Sequence, residues 1–134
     1  MRARDLMTTS PVCVTPRTRL GETIEIMYAN DVRHIPVVDD SRLVGIISDR
    51  DLRALWDPVV NVQVGDGRAF DRRVSEYMST DPVTVMEEDD ATEVIELLVE
   101  HRVGAIPVVD AEGILVGIVS YIDVLKALGD ALED

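Results

Sequence analysis

Apolar and polar positions follow the same rhythm twice along the chain. "PVCVTP" (11–16) and "PVTVME" (82–87) alternate β-branched residues over a few positions, which predicts a short strand at each place. Behind them, Leu20, Ile24 and Met27 recur at i, i+4, i+7, as do Ala91, Ile95 and Leu98. Each strand is therefore followed by an amphipathic helix with one apolar stripe. Asp90 with Glu93 has the form of a capping box opening the second helix. The runs "HIPVVD" (34–39) and "AIPVVD" (105–110) predict buried strands. Their prolines cannot donate to a ladder, so each belongs at the strand's first residue or on a sheet edge. Turns, "DDSR" and "AEG", lead into the strands "LVGIIS" (43–48) and "ILVGIVS" (114–120). A closing helix follows each, "DRDLRALW" (49–56) and "YIDVLKALGDAL" (121–132).

The two halves are copies of one another. Sliding by 71 residues sets Met7–Asp39 on Met78–Asp110 with 14 of 33 positions identical. One inserted residue later, Leu43–Leu52 falls on Leu115–Val124 with 6 of 10 identical. Each copy spells β-α-β-β-α, and a unit of about 50 residues is too small to bury its apolar faces alone. Two copies are expected to share one body: repeat 1 over 1–56, a linker over 57–73 and repeat 2 over 74–134. The linker carries Pro and "GDG", with "VVNVQV" (59–64) a candidate edge strand.

Composition narrows the function classes. With 46% apolar and 29% charged residues the chain is globular rather than disordered. No apolar run approaches the roughly 18–20 residues of a membrane helix. The opening "MRARDLMTTSP" lacks the apolar core of a secretory signal. A single cysteine, Cys13, leaves no internal disulfide and no multi-thiolate metal site, and its strand-like setting predicts a buried, inert thiol. A cytoplasmic location is expected. The net charge of −13 argues against nucleic acid and anionic membranes as partners. With two His and one Cys there is no catalytic constellation and no ligand cluster for a metal, so neither catalytic nor metal residues are expected.

The most specific signal is the repeated sentence "LVGIISDRDL" (43–52) and "LVGIVSYIDV" (115–124). Ser48-x-x-Asp51 and Ser120-x-x-Asp123 each fit a capping box, in which Ser caps the helix and Asp answers from the third position. Gly45 and Gly117 would then be close-packing or bulge positions. The same groups also fit a ligand. A helix N-terminus attracts an anion, a Ser hydroxyl donates to a phosphate, and a carboxylate accepts two hydrogen bonds from a ribose diol. Glycine on the entering strand leaves room for a purine.

On the segments "HIPVVDD…LVGIISDRDL" and "AIPVVD…LVGIVSYIDV", each behind a "M-(x)3-PVxV" opening and an amphipathic helix, the repeat resembles the cystathionine-β-synthase (CBS) domain. The pair resembles a tandem CBS, or Bateman, module, over roughly residues 7–56 and 78–127. The resemblance implies an α+β fold of two β-α-β-β-α repeats packed sheet to sheet with pseudo-twofold symmetry. It also implies a homodimer, with adenosine-containing ligands bound in the clefts between repeats. One cleft would combine Ser120 and Asp123 with Met7, Val12, Arg33, His34 and Pro36. The other would combine Ser48 and Asp51 with Met78, Val83, Val103, Gly104 and Pro107. Arg33 and His34 stand where the second copy has Gly104 and Ala105, so the cleft holding Asp123 is expected to be the better phosphate binder. Arg50 could supply charge to the other.

The expected function is a stand-alone regulatory module that binds AMP, ADP or ATP and needs no cofactor. Because the repeats use up the chain, it would signal in trans to a separate effector protein by a conformational or oligomeric change. The alternatives are a scaffold with empty clefts, or a sensor of S-adenosylmethionine or another adenosyl ligand. His101 is expected to be solvated, and Trp56 to pack or to contact a dimer partner. Met7, Met27, Met78 and Met86 are expected as core or cleft lining.

Overall fold

A computed structural model describes residues 1–56 and 68–133. In chain order the elements are α1 (Ala3–Leu6), β1 (Thr8–Thr9), α2 (Leu20–Asn30), β2 (His34–Asp39), β3 (Arg42–Ser48), α3 (Asp49–Leu52), β4 (Ser79–Thr80), α4 (Ala91–His101), β5 (Ala105–Val109), β6 (Leu115–Ser120) and α5 (Tyr121–Leu132). Short 3-10 turns lie at Arg53–Trp56, Arg68–Asp71 and Val74–Glu76. Of the expected linker, residues 57–67 lie outside the described residues, and with them the candidate edge strand 59–64. The side chain of Trp56 lies outside them too.

The described residues fall into two compact units, and neither follows the repeats. One takes Met1–Pro11, Ser41–Leu43 and Pro82 onward; the other takes Val12–Asp40 and Val44–Asp81. The first holds a three-stranded sheet in the order β1-β6-β5, the second a sheet in the order β2-β3-β4. Each sheet is completed by a two-residue strand from the opposite repeat. Thr8 and Thr9 of repeat 1 pair with Ile118 and Gly117, while Ser79 and Thr80 of repeat 2 pair with Ile46 and Gly45, all antiparallel.

In the first unit, Val94, Ile106, Val108 and Val119 are fully buried, with Ala3 and Leu6 of α1 added from the start of the chain. The second unit buries Leu20, Ile35, Val37, Ile47 and Val74 in the same way. Ala69 is buried in that core, so the end of the expected linker is packed. The helix stripes shift by one residue from the expected spacing. Leu20, Thr23 and Met27 are buried on α2, and Ala91, Val94 and Leu98 on α4, while Ile24 and Ile95 are only partly covered. Thr23 is tolerated because its hydroxyl donates to the Arg19 carbonyl at 3.0 Å.

The strands expected over 11–16 and 82–87 are each reduced to one parallel bridge, Val14 to Val37 and Val85 to Val108. Val14 N–H donates to the Pro36 carbonyl (3.1 Å) and Val85 N–H to the Pro107 carbonyl (3.2 Å). In the first copy the ladder stops there because the next N–H that would face β2 is that of residue 16, and Pro16 has none. Thr15 N–H goes to Thr18 Oγ1 (3.0 Å) and Met86 N–H to Asp89 Oδ2 (2.8 Å). Both prolines lie on edge strands, where they lend a carbonyl and owe no N–H.

Two further expectations are corrected by local geometry. Cys13 is exposed, because in extended backbone it points away from the core that its neighbour Val14 enters. Met86 is exposed as well, whereas Met27 is buried and Met7 and Met78 pack against the cores. Asp90 caps α4 by accepting from Thr92 N–H at 2.9 Å, but Glu93 does not answer it. That bond goes to the second helical residue, so the reciprocal box built on the third does not form.

Gly45 and Gly117 allow the exchanged strands to approach. A Cβ at Gly45 would lie 2.8 Å from the Ser79 carbonyl and from Met78 Sδ; at Gly117 it would lie 3.0 Å from the Thr8 carbonyl and 2.6 Å from Met7 Sδ. Methionine and backbone thus take the space that a purine was expected to use. Gly45→Ala, which forces a backbone shift, is expected to lower unfolding stability by about 1–3 kcal/mol in a urea titration. An unchanged midpoint would show that β4 is not held in place here.

Candidate functional site

The repeated sentence lies where the central strand of each sheet passes into a helix. At Ser48, the N-cap of α3, the backbone N–H donates to Asp51 Oδ2 (2.8 Å) and Asp51 N–H donates back to Ser48 Oγ (3.2 Å). At Ser120, the N-cap of α5, the same exchange measures 2.9 and 3.3 Å, and Ser120 Oγ also donates to Asp123 Oδ2 at 3.0 Å. The capping box is complete in both copies. Each aspartate spends Oδ2 on it, and among the described residues no hydrogen bond reaches Oδ1. Both carboxylates are only partly buried.

The helix N-termini have less to offer an anion than the sequence suggested. Asp49 N–H donates to the Arg33 carbonyl and Tyr121 N–H to the Gly104 carbonyl, each at 2.9 Å. The cap serine takes the third N–H, so only the second in each helix, that of Arg50 or Ile122, is left without a bond among the described residues.

The structure divides the expected contact residues between the units. Ser120, Asp123, Met7, Val83, Val103, Gly104 and Pro107 belong to the first unit; Ser48, Asp51, Met78, Val12, Arg33, His34 and Pro36 belong to the second. Within a unit, Met7 is brought beside the strand leading to Ser120, and Met78 beside the strand leading to Ser48. Pro36 and Pro107 are buried, and Val103 and Arg33 are exposed at the start of the edge strands. His101 is exposed, as expected.

The two junctions differ in charge. In the second unit Arg33, Asp49, Arg50 and Asp51 act on His34; in the first unit the places of Arg33, His34, Asp49 and Arg50 hold Gly104, Ala105, Tyr121 and Ile122. Burial depresses the His34 pKa below its ordinary 6.5, helped by Arg33 and Arg50, and the attraction of Asp49 and Asp51 does not restore it. Sequence reasoning missed the neighbours of Gly45 and Gly117, the strands β1 and β4. Their signal was present in the repeat, where "MTTSP" (7–11) and "MSTDP" (78–82) match.

The family model of the CBS domain matches residues 3–56 and 74–130. This chain belongs to the CBS domain family. Among relatives of the pair, a CBS domain-containing protein of Dictyostelium discoideum is 34% identical over 134 residues, covering 97% of this chain and 92% of that one. Inosine-5'-monophosphate dehydrogenase of Methanocaldococcus jannaschii is 32% identical over 126 residues. That match takes in 93% of this chain but only 23% of the enzyme. The crystal structure of CBSX2 in complex with AMP superposes with a TM-score of 0.83 at 30% identity, covering 97% of both chains. No helix among the described residues is long and apolar enough to cross a membrane.

The His34 environment sets a pH dependence for this CBS pair. The unfolded chain binds the His34 proton near pH 6.5 and the folded chain only at lower pH. The neutral ring therefore stabilises the fold above 6.5, and this contribution is lost as the pH falls through the depressed value. Melting temperatures measured between pH 7.5 and pH 5 are expected to fall less steeply for His34→Gln than for the parent; parallel curves would contradict the assignment.

Proposed function

We propose that this CBS pair is a regulatory module that binds adenosine-containing ligands of the AMP, ADP and ATP class. It catalyses nothing and signals in trans to a separate effector. The observation that carries this reading is the half-used carboxylate. Asp51 and Asp123 each hold their helix cap with Oδ2 and, among the described residues, keep Oδ1 free of hydrogen bonds, so one residue can cap a helix and accept from a ribose hydroxyl at once. Ser48 stands beside Asp51 as a donor, Ser120 gives its hydroxyl proton to Asp123, and Arg33 supplies the charge a phosphate needs beside the neutral His34 ring. The remaining contacts are those the resemblance assigns: Met7, Val12 and Pro36 for one ligand, Met78, Val83, Val103, Gly104 and Pro107 for the other. A relative at 30% identity in complex with AMP supports this choice of ligand.

A homodimer belongs to the same reading. Tyr121, Leu125, Leu128 and Leu132 recur at helical spacing on α5, and all four are exposed. A second copy would cover this stripe, and a ligand-dependent change in its geometry would be the output.

The test is thermal melting with AMP, ADP, ATP or S-adenosylmethionine, one at a time. A bound ligand at about 100 times its dissociation constant adds roughly 2.7 kcal/mol to stability. Asp123→Ala is expected to weaken adenine nucleotide binding by about 10- to 100-fold, because a hydrogen bond to a charged group contributes roughly 1.5–3 kcal/mol. No shift with any ligand would leave Ser48, Asp51, Ser120 and Asp123 as caps alone and favour an interaction scaffold. A shift with S-adenosylmethionine only would move the ligand class.

A further inference from the structure

The repeats carry an internal control that singles out one charged surface. In the first unit, residues 1–4 run beside 87–91: Ala3 N–H donates to the Asp89 carbonyl (2.8 Å), Ala91 N–H to the Met1 carbonyl (2.9 Å), and Arg2 stands opposite Asp90. In the second unit, the equivalent residues 72–75 run beside 16–20. Leu20 N–H donates to the Arg72 carbonyl (2.9 Å), Val74 N–H to the Thr18 carbonyl (2.8 Å), and Arg73 stands opposite Arg19. The backbone is the same, but the side chains are inverted in charge. "MEEDD" (86–90) in one repeat is "TPRTR" (15–19) in the other.

In the first unit the charges complement each other. Arg4 pairs with Glu88 at 2.7 Å, and Arg2 helps to hold the Asp90 carboxyl below its usual range, behind the larger effect of the Thr92 N–H bond. In the second unit they do not. The bonds flanking Arg19 and Arg73 make them a non-hydrogen-bonded antiparallel pair, the class in which facing side chains come closest and like charges repel. Arg19 is also the N-cap of α2, makes no side-chain cap bond, and carries the wrong sign for the helix dipole.

Nearby acids neutralise only part of this set. Arg17 reaches Asp39 at 3.8 Å and Arg72 reaches Glu76 at 3.1 Å. Arg19 donates to the Asp71 carbonyl and Arg73 N–H to Glu76 Oε2 (3.1 Å), but among the described residues neither the Arg19 nor the Arg73 guanidinium has a carboxylate partner. Arg17, Arg19 and Arg73 are exposed.

We propose that Arg17, Arg19 and Arg73 form a docking surface for an acidic segment of a partner protein. Such a segment would supply the carboxylates that 86–90 supply in the first unit. The guanidinium fork binds carboxylates in paired hydrogen bonds. A nucleic acid fits less well, because its phosphates continue beyond the patch onto a chain with 26 acidic and 13 basic residues. A second copy fits less well too, since Glu88, Asp89 and Asp90 are already bonded to Arg4, Met86 and Thr92.

The experiment titrates the full chain with a labelled hexaglutamate peptide by fluorescence anisotropy at low salt. Arg19→Gln/Arg73→Gln is expected to weaken binding by at least about tenfold, while Arg102→Gln, an exposed arginine of the other unit, leaves it unchanged. Arg19→Asp, which rebuilds the pairing and cap seen at Asp90, is expected to raise the melting temperature by about 3–5 °C and abolish peptide binding. Equal binding by the parent and the Arg19→Gln/Arg73→Gln chain, or a lower melting temperature for Arg19→Asp, would overturn the proposal. Tighter binding of a hexanucleotide RNA than of the peptide would overturn it as well.

Discussion

One hydrogen-bonded exchange, repeated, holds the molecule's working parts in place. Where the middle strand of each sheet ends, a serine N–H donates a hydrogen bond to an aspartate carboxylate three residues on, and the aspartate N–H donates back to the serine oxygen. The exchange starts a helix with no intervening loop and fixes a carboxylate at the sheet's rim. Losing such a cap costs about 0.5–2 kcal/mol. The constraint therefore serves folding first, and under the proposed function a ligand would meet a carboxylate that is already oriented. Preorganisation of this kind reduces the conformational entropy lost on binding.

The second constraint is the exchange of strands between repeats. Each sheet borrows its third strand from the other half of the sequence, and the borrowed backbone lies against glycine because nothing larger fits. Neither repeat alone can complete its own sheet. This explains why the copies share "MTTSP" and "MSTDP", and why compact units and repeats do not coincide. The chain passes from one unit to the other beside Ser10 and Asp81, both at left-handed φ (46° and 48°) directly before a proline. An arrangement disfavoured on local grounds is thus kept in both copies.

What was legible in the sequence was local. The i to i+3 spacing of Ser48 and Asp51 announces the cap, and the alternation in "LVGIIS" announces the strand. The inserted residue in "DAEGILVG" announces a longer turn: Asp40 and Ser41 form a two-residue turn at left-handed φ, while Asp110 Oδ1 braces the longer one by accepting from Glu112 and Ile114. What escaped was set by distant partners. The brief "PVCVTP" pattern did not show that pairing would be confined to Val14, nor that Cys13 would face outward. Gly117 looked like room for a base because its actual neighbour, Met7, lies more than a hundred residues earlier in the chain. The opposed arginines at 19 and 73 could not be seen until the backbone placed them in register.

The decisive measurement is a crystal structure of the full chain grown with AMP. The account predicts a ribose hydroxyl within hydrogen-bonding distance of Oδ1 on Asp51 or Asp123, with Oδ2 still bound to the serine N–H. AMP found elsewhere, with both carboxylates engaged only in their caps, would contradict it.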